Sequence, residues 1–317
     1  LKTRITELLH IDLPIIQGGL AYLAYSELAA AVSNAGGLGQ VTALSLPTAE
    51  KLREEIHKTR KLTTKPFGVN FAMGLHGTNF EDFIQVAIDE KVAVVTITGG
   101  NPTPILQAFH GTSIKKLVLV SSVRQAQKAE EHGADAVIVV GQEGGGHLGR
   151  EDLGTIILTP RVVDSVKIPV IASGGIGDGR GMAAALALGA DGIEMGTRFI
   201  ATKECIHASA LYKEAILAKN EQDTVVIKRS IGGPARVLHN DFTDEILEIE
   251  KATSTYEALK NYIGGKNNRD FIYDGKEHGF GYAGQVIGLI DSTPTMKDLF
   301  NEMEQVFKDQ ILKLSEI

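Results

Sequence analysis

The chain has no tryptophan and a single cysteine, Cys205, among its 317 residues. One thiol rules out an intrachain disulfide and supplies no paired metal-ligand spacing, which fits a reducing compartment and makes the cytoplasm the expected location. A surplus of positive charge is also missing, with 32 Lys and Arg against 39 Asp and Glu and a net charge of −7. Counterion release from a basic face drives nucleic-acid binding, so no nucleic-acid partner is expected. Long apolar runs are absent too. The most apolar windows, such as residues 182–188, fall far short of the roughly 20 residues that cross a bilayer. Residues 1–7 carry early charges without the apolar stretch or cleavage site of an export signal. Neither a membrane partner nor export is expected.

Glycine, by contrast, is abundant: 35 residues, or about 11% against a usual level near 7%, without low-complexity sequence. A hydrophobic content of 43% with 22% charged residues is enough for one large core or two ordinary ones. Short apolar runs at 14–17, 38–42, 67–71, 92–98, 116–120, 136–140, 169–172 and 192–195 end in glycine or polar residues. Helical periodicity follows each, at 26–34, 48–59, 80–90, 102–109, 123–131, 159–166, 179–188 and 209–219. Strands that are apolar throughout suit a parallel sheet covered on both faces. Eight βα units in about 220 residues predict an α/β fold, a (β/α)8 TIM barrel, although a doubly wound sheet gives similar local patterns.

An internal echo favours the barrel. His132-Gly133-Ala134-Asp135-Ala136 leads into one strand and Leu188-Gly189-Ala190-Asp191-Gly192 into another, two units apart. A common αβ turn is the plainer explanation. After residue 219 the sequence becomes more polar. The expected organisation is a barrel over 1–219, a smaller substrate or lid domain over 220–282, and a C-terminal segment over 283–317 whose helix packs back on the barrel.

Barrel enzymes work at the C-terminal ends of their strands, and the loops after strands seven and eight often hold a phosphate. Here those loops read Ser173-Gly174-Gly175-Ile176-Gly177 and Gly196-Thr197-Arg198-Phe199. Glycine lets backbone N–H groups approach an anion, and Thr197 adds a hydroxyl donor; tight turns alone would also account for the glycines. Strand six ends in Gly141-Gln142-Glu143-Gly144-Gly145-Gly146-His147-Leu148-Gly149. Gly144, Gly146 and Gly149 satisfy G-x-G-x-x-G formally, but 148–154 reads as loop and the unit is sixth instead of first. What remains is a glycine platform presenting His147. A lone histidine is more often structural than catalytic, yet this one sits at the catalytic end and titrates near neutrality as donor or acceptor.

At the first strand Gln17 is expected to face the barrel mouth, with Gly18 and Gly19 against a planar ring. Asn70 after strand three and Thr98-Gly99-Gly100 after strand four extend the rim. Together these ends suggest a large flat ligand with its phosphate at strands seven and eight. Cys205 and His207 are too few for a zinc site, so no metal is expected. Arg236 either meets an anion or forms a surface ion pair.

Pro14-Ile15-Ile16-Gln17-Gly18-Gly19, residues 30–39, Lys65-Pro66-Phe67-Gly68-Val69-Asn70, residues 144–149, 172–176 and 195–199 together resemble the nitronate monooxygenase (2-nitropropane dioxygenase) family. The similarity continues through 234–237 and 283–285. Within the family the chain is similar to a shorter group that also contains FMN-dependent enoyl-acyl carrier protein reductase II and an NADH:quinone reductase subgroup. The resemblance implies FMN in a barrel with a lid. It places the phosphate on Gly174, Gly175, Ile176, Gly196 and Thr197, the ring and ribityl chain on Gln17, Gly18, Gly19, Leu20 and Asn70, with Gly145 also against the cofactor, and makes His147 the active-site histidine.

The activity this implies first is oxidation of alkyl nitronates by dioxygen to a carbonyl compound and nitrite. The alternative within the same group is an NAD(P)H-dependent flavin reductase acting on an enoyl thioester or a quinone. A non-catalytic flavin or phosphate-ligand binding protein is the alternative of another class. In each enzymatic case the partner is a small molecule, and the resemblance leaves a homodimer open. Two departures stand out: Val140 replaces an acidic residue found in several relatives, weakening a polar contact to the cofactor, and Leu20 replaces a methionine of similar volume.

Overall fold

Eight parallel strands form one sheet in the computed structural model, which describes residues 1–73 and 80–317. They are β1 (Ile15–Gln17), β2 (Gly39–Thr42), β3 (Phe67–Ala72), β4 (Val94–Thr98), β5 (Lys115–Val120), β6 (Ala136–Val140), β8 (Val170–Ser173) and β9 (Gly192–Met195), while β7 (Gly146–His147) joins a second sheet. The order β1-β9-β8-β6-β5-β4-β3-β2 brings the first two strands together. Ile16 bridges to Leu38 there, with Gln17 N–H donating to Leu38 O at 2.9 Å and Leu38 N–H to Ile15 O at 2.9 Å. The sheet is therefore a closed barrel, which removes the doubly wound alternative.

Ile16, Leu38, Val94, Leu117, Ala136, Ile138 and Ile171 fill the lower interior with Ile5 and Leu9 from the helix Arg4–Leu9, which plugs that end. One level higher the interior turns polar, with Gln40, Asn70, Thr96, Ser173 and Glu194 all buried. A barrel packed solid below and polar above offers a ligand only its upper face.

The two Gly-Ala-Asp segments have the same physical role. Gly133 and Gly189 take left-handed φ values of 88° and 92° just past their helices, a conformation that disfavours a side chain. The aspartate that follows ties the next strand to its neighbour. Asp135 N–H donates to Lys116 O and its Oδ2 accepts from Lys116 N–H; Asp191 makes the matching pair with Val170 O and N–H.

The helix after β6 begins at Thr155, four residues before the position expected from periodicity, and contains Pro160. The Glu143 carboxylate caps it, accepting from Thr155 N–H at 2.9 Å and Thr155 Oγ1 at 2.9 Å. A cap reaching from twelve residues away leaves no local mark in the sequence.

Two further strands, β10 (Thr224–Ile227) and β11 (Ala235–Leu238), pair antiparallel, and β11 pairs on its other side with β7, Ala235 facing His147 and Arg236 facing Gly146. Ile227, Ala235, Val237, Phe242, Ile246, Leu259 and Phe280 give this small sheet its own apolar core. The terminal helix Met296–Ser315 buries Met296, Leu299, Phe300, Met303 and Phe307 against the barrel. A Cβ on Gly179 would stand 2.3 Å from Met303 O, so that helix seats on bare backbone. Among the described residues no helix is long and apolar enough to cross a membrane.

Candidate functional site

A cavity of about 580 Å³ lies between the C-terminal ends of the barrel strands and the small sheet. Gly18, Gly19, Leu20, Asn70, Gly145, His147, Gly174, Gly175, Ile176, Gly196 and Thr197 all line it. Gln17 does not. Strand alternation turns Ile16 and Gly18 inward and Gln17 outward, where its carboxamide donates to Gln40 O at 2.9 Å and accepts from Gln40 N–H at 3.2 Å. Gln17 is thus a fastener at the β1–β2 seam and has no free group for a ligand.

At one end of the cavity the β8 and β9 loops meet. Gly174 and Gly175 have φ values of 96° and 75°, conformations that expose backbone amides and that other residues adopt at a cost. The N–H groups of Gly175, Ile176 and Gly196 find no acceptor among the described residues. Thr197 Oγ1 accepts from Gly284 N–H at 3.0 Å, leaving its own proton to donate. Amide donors left without acceptors on a cavity wall can take up an anion; here Gly175 and Gly196 are half-buried and Ile176 buried, all three on the same lining.

The cavity floor is a relay of polar side chains. Asn70 Nδ2 donates to Thr96 Oγ1 at 2.9 Å, and Thr96 Oγ1 to Gln40 Oε1 at 2.6 Å. These bonds fix the Asn70 carboxamide and leave its Oδ1 buried without a partner. Gly19 lies against it: a Cβ there would come within 2.3 Å of Asn70 Oδ1.

Glu194, unremarked in the sequence, reaches the same floor from β9. It is 5% exposed, its Oε1 accepts from Ser173 Oγ at 3.0 Å, and its Oε2 has no partner. Burial raises its pKa to about 7, against the Ser173 hydrogen bond. Val140 registers with Ser173, and Ser173 with Glu194. The barrel level at which Val140 replaces an expected acid therefore still holds a carboxyl, two strands away.

His147 hangs over the cavity from β7, its ring 5.7 Å from that of Tyr282. His147 is exposed to the open cavity, while protein crowds round its ring. That burial first, and the neighbouring Lys228 cation second, lower its pKa to about 4. Lys228 Nζ sits 2.9 Å from His147 Nε2. Burial lowers the Lys228 pKa to about 8, with Glu250 opposing. At pH 7 the ammonium therefore donates to a neutral ring whose Nε2 accepts, so the ring proton resides on Nδ1. The expected freedom of His147 to act as donor or acceptor is narrowed to donation.

Arg236 pairs with no carboxylate among the described residues. Its Nε donates to Gln142 O at 3.1 Å and its Nη1 to Thr224 Oγ1 at 3.0 Å, tying the small sheet to the β6 loop. Cys205 is buried, and burial raises its thiol pKa to about 11; His207 stacks on Tyr273 and meets Tyr25 at a tilt.

The sequence pattern of the family described as Nitronate monooxygenase matches residues 2–77 and 71–305. The chain belongs to the nitronate monooxygenase family. It is 33% identical to a "Probable nitronate monooxygenase" of Staphylococcus aureus (strain JH9), over 97% of this chain and 99% of the relative. It is 34% identical to a protein of Rhodococcus jostii (strain RHA1) named "(3aS,4S,5R,7aS)-5-hydroxy-7a-methyl-1-oxo-octahydro-1H-indene-4-carboxyl-CoA dehydrogenase", over 95% and 94%. Among solved structures it superposes on FabK from Thermotoga maritima with a TM-score of 0.93 and 40% identity, covering 100% of this chain and 99% of the other.

A nitronate monooxygenase family member is a flavin-dependent oxidoreductase, and the cavity suits a flavin on its own evidence. The cradle of unpaired amides and Thr197 fits a phosphate. Asn70 Oδ1 offers an acceptor, and Glu194 Oε2 a carboxyl oxygen, to the polar edge of a ring lying over Gly18 and Gly19.

Proposed function

We propose that the protein is an FMN-dependent reductase that takes electrons from NAD(P)H and delivers them to an enoyl thioester. The observation that carries this reading is the Lys228–His147 pair, two hydrogen-bond donors over the cavity, with the imidazole Nε2 already taken up by the ammonium. The 40% identity to FabK over essentially the full length supports it, as does the likeness to a relative named for a carboxyl-CoA substrate.

Bound FMN would supply hydride acceptance and hydride donation, which no side chain here can perform. Gly174, Gly175, Ile176, Gly196 and Thr197 would hold its phosphate, and Gly18, Gly19, Leu20, Gly145 and Asn70 its ring and ribityl chain. His147 Nδ1–H would donate to the thioester carbonyl oxygen and stabilise the charge that develops there as hydride reaches the β-carbon. Lys228 fixes the ring tautomer and, with a pKa near 8, carries a proton at neutral pH that can replace one given up by the site. Lys228 is buried beneath the small sheet, and the Tyr282 ring flanks the imidazole.

Nitronate oxidation is the second reading, favoured by the family pattern and by the Staphylococcus aureus relative. The donor pair fits an already ionised nitronate but does not favour a neutral nitroalkane, which needs a base to lose its α-proton. Steady-state turnover in parallel decides between the two. The reductase reading expects NAD(P)H oxidation that depends on an enoyl thioester. Oxygen uptake and nitrite release from a nitronate without NAD(P)H, together with no thioester reduction, would replace it with the oxygenase.

A further inference from the structure

A second depression opens beside the flavin cavity. Its volume is about 410 Å³, within the range of ligand pockets, and Tyr22, Tyr25, Leu44, Pro47, Arg269 and Tyr273 line it. Tyr22 and Leu44 also line the main cavity, so the two spaces adjoin. A molecule long enough to reach from one into the other passes Tyr22.

Arg269 projects from the helix Gly265–Ile272, with its guanidinium carbon 5.3 Å from the centre of the Tyr273 ring and 5.8 Å from that of Tyr22. No carboxylate among the described residues pairs with it. Its neighbour Asp270 is held instead by Lys266 at 2.6 Å and Lys276 at 2.9 Å. Aromatic contacts orient a guanidinium without neutralising it, and its planar fork suits phosphate.

The aromatic walls are braced. His207 lies with its ring centre 4.5 Å from that of Tyr25 and stacks within 7° of parallel on Tyr273. Tyr22 holds a left-handed φ of 63°, secured by its N–H donating to Ser45 Oγ at 2.7 Å. A bulky residue adopts that conformation only where its surroundings impose it, and here it sets the tyrosine at the junction of the two spaces.

From this juxtaposition we propose that the depression is a nucleotide subsite, taking the adenosine-phosphate end of a reactant whose other end reacts in the main cavity. Arg269 takes the phosphate, and Tyr22, Tyr25 and Tyr273 flank the base. The inference rests on the reductase reading and extends it from the reacting group to the handle. A coenzyme A thioester and a nicotinamide dinucleotide both carry such an end.

The test is isothermal titration of the flavin-loaded protein with adenosine 3′,5′-bisphosphate, which represents coenzyme A, and with AMP and adenosine 2′,5′-bisphosphate, which represent the dinucleotides. Inorganic phosphate serves as control. At least one nucleotide is expected to bind more tightly than phosphate, and Arg269→Gln to weaken it by about tenfold or more, a change of roughly 1.4 kcal/mol. The nucleotide preferred identifies the source. Tyr273→Ala serves if Arg269→Gln does not fold, and flavin absorbance reports folding in both. The proposal is overturned if no nucleotide binds at millimolar concentration, or if the folded variant binds as tightly as the parent. Failure of the reductase reading would appear separately, as absent NAD(P)H-driven turnover, because the titration involves no reaction.

Discussion

Lys228 Nζ lies 2.9 Å from His147 Nε2, although 81 residues separate them in the chain. The contact joins a loop at the mouth of the barrel to the strap following β10. It also decides which ring nitrogen carries a proton.

If Lys228 supplies that proton and tautomer, kcat/KM for thioester reduction falls above pH 8, where its ammonium is lost. Lys228→Met is expected to lower the rate by roughly 10²–10³-fold, the scale of losing one donor at developing charge. The same change removes a cation beside His147 and raises the imidazole pKa above its value of about 4, measurable by NMR titration. An unchanged His147 titration in the variant would show that the two side chains are not coupled.

Glu194 gives stability a pH dependence of defined sign. Its pKa is near 7 in the folded protein and about 4.5 when unfolded, so the native state binds more protons between those values and stability falls as pH rises from about 4.5 to 7. The shift corresponds to roughly 3 kcal/mol at 1.36 per unit. Glu194→Gln is expected to abolish this decline and to be the more stable form at pH 8. Urea unfolding of both proteins at pH 5 and pH 8 measures it, and parallel pH profiles would contradict the assignment.

Gly19→Ala places a methyl group where the Asn70 carboxamide stands. Because the Thr96 and Gln40 bonds hold that amide, the expected results are a flavin-poor protein and a loss of about 1–3 kcal/mol in stability. The absorbance ratio of flavin to protein after gel filtration checks the first and thermal unfolding the second. Full flavin occupancy would count against the ring lying at this edge.

Asp135→Ala and Asp191→Ala each leave a strand amide without its side-chain acceptor. Each should cost about 1–3 kcal/mol. Asp191→Ala should cost more, since it loses a two-pronged Arg4 contact at 2.8 and 2.6 Å where Asp135→Ala loses a single Lys116 Nζ contact at 2.8 Å. Denaturant titration of the two variants ranks them.

The barrel was legible because its signal is local: eight short apolar runs, closed by glycine or by small or polar residues, lie close to the observed strands. The glycine loops were legible for the same reason, as Gly174, Gly175 and Gly196 follow directly on strands that the apolar runs mark. Gln17 was misplaced because a three-residue strand gives no alternation from which to read its face. Lys228 and Glu194 were missed because each matters through partners from other strands. A lysine on an irregular strap resembles a solvated one until its neighbours are known, and the glutamate sits in an apolar run that reads as core. The only local hint at Lys228 is a left-handed φ of 65°, which no residue type there announces.

The strand β7 contributes only two residues, yet one of them is His147, and it is hydrogen-bonded into the small sheet and not into the barrel. Leu148 N–H extends the attachment to Pro234 O at 2.9 Å. Whatever displaces that sheet from the strand ends withdraws the imidazole, and with it the Lys228 contact, from the flavin's side of the cavity. Cover and imidazole are one mechanical part. A chimera that exchanges residues 220–282 between relatives must therefore carry the 146–148 segment along, or it will fit a new roof while leaving His147 without its mooring.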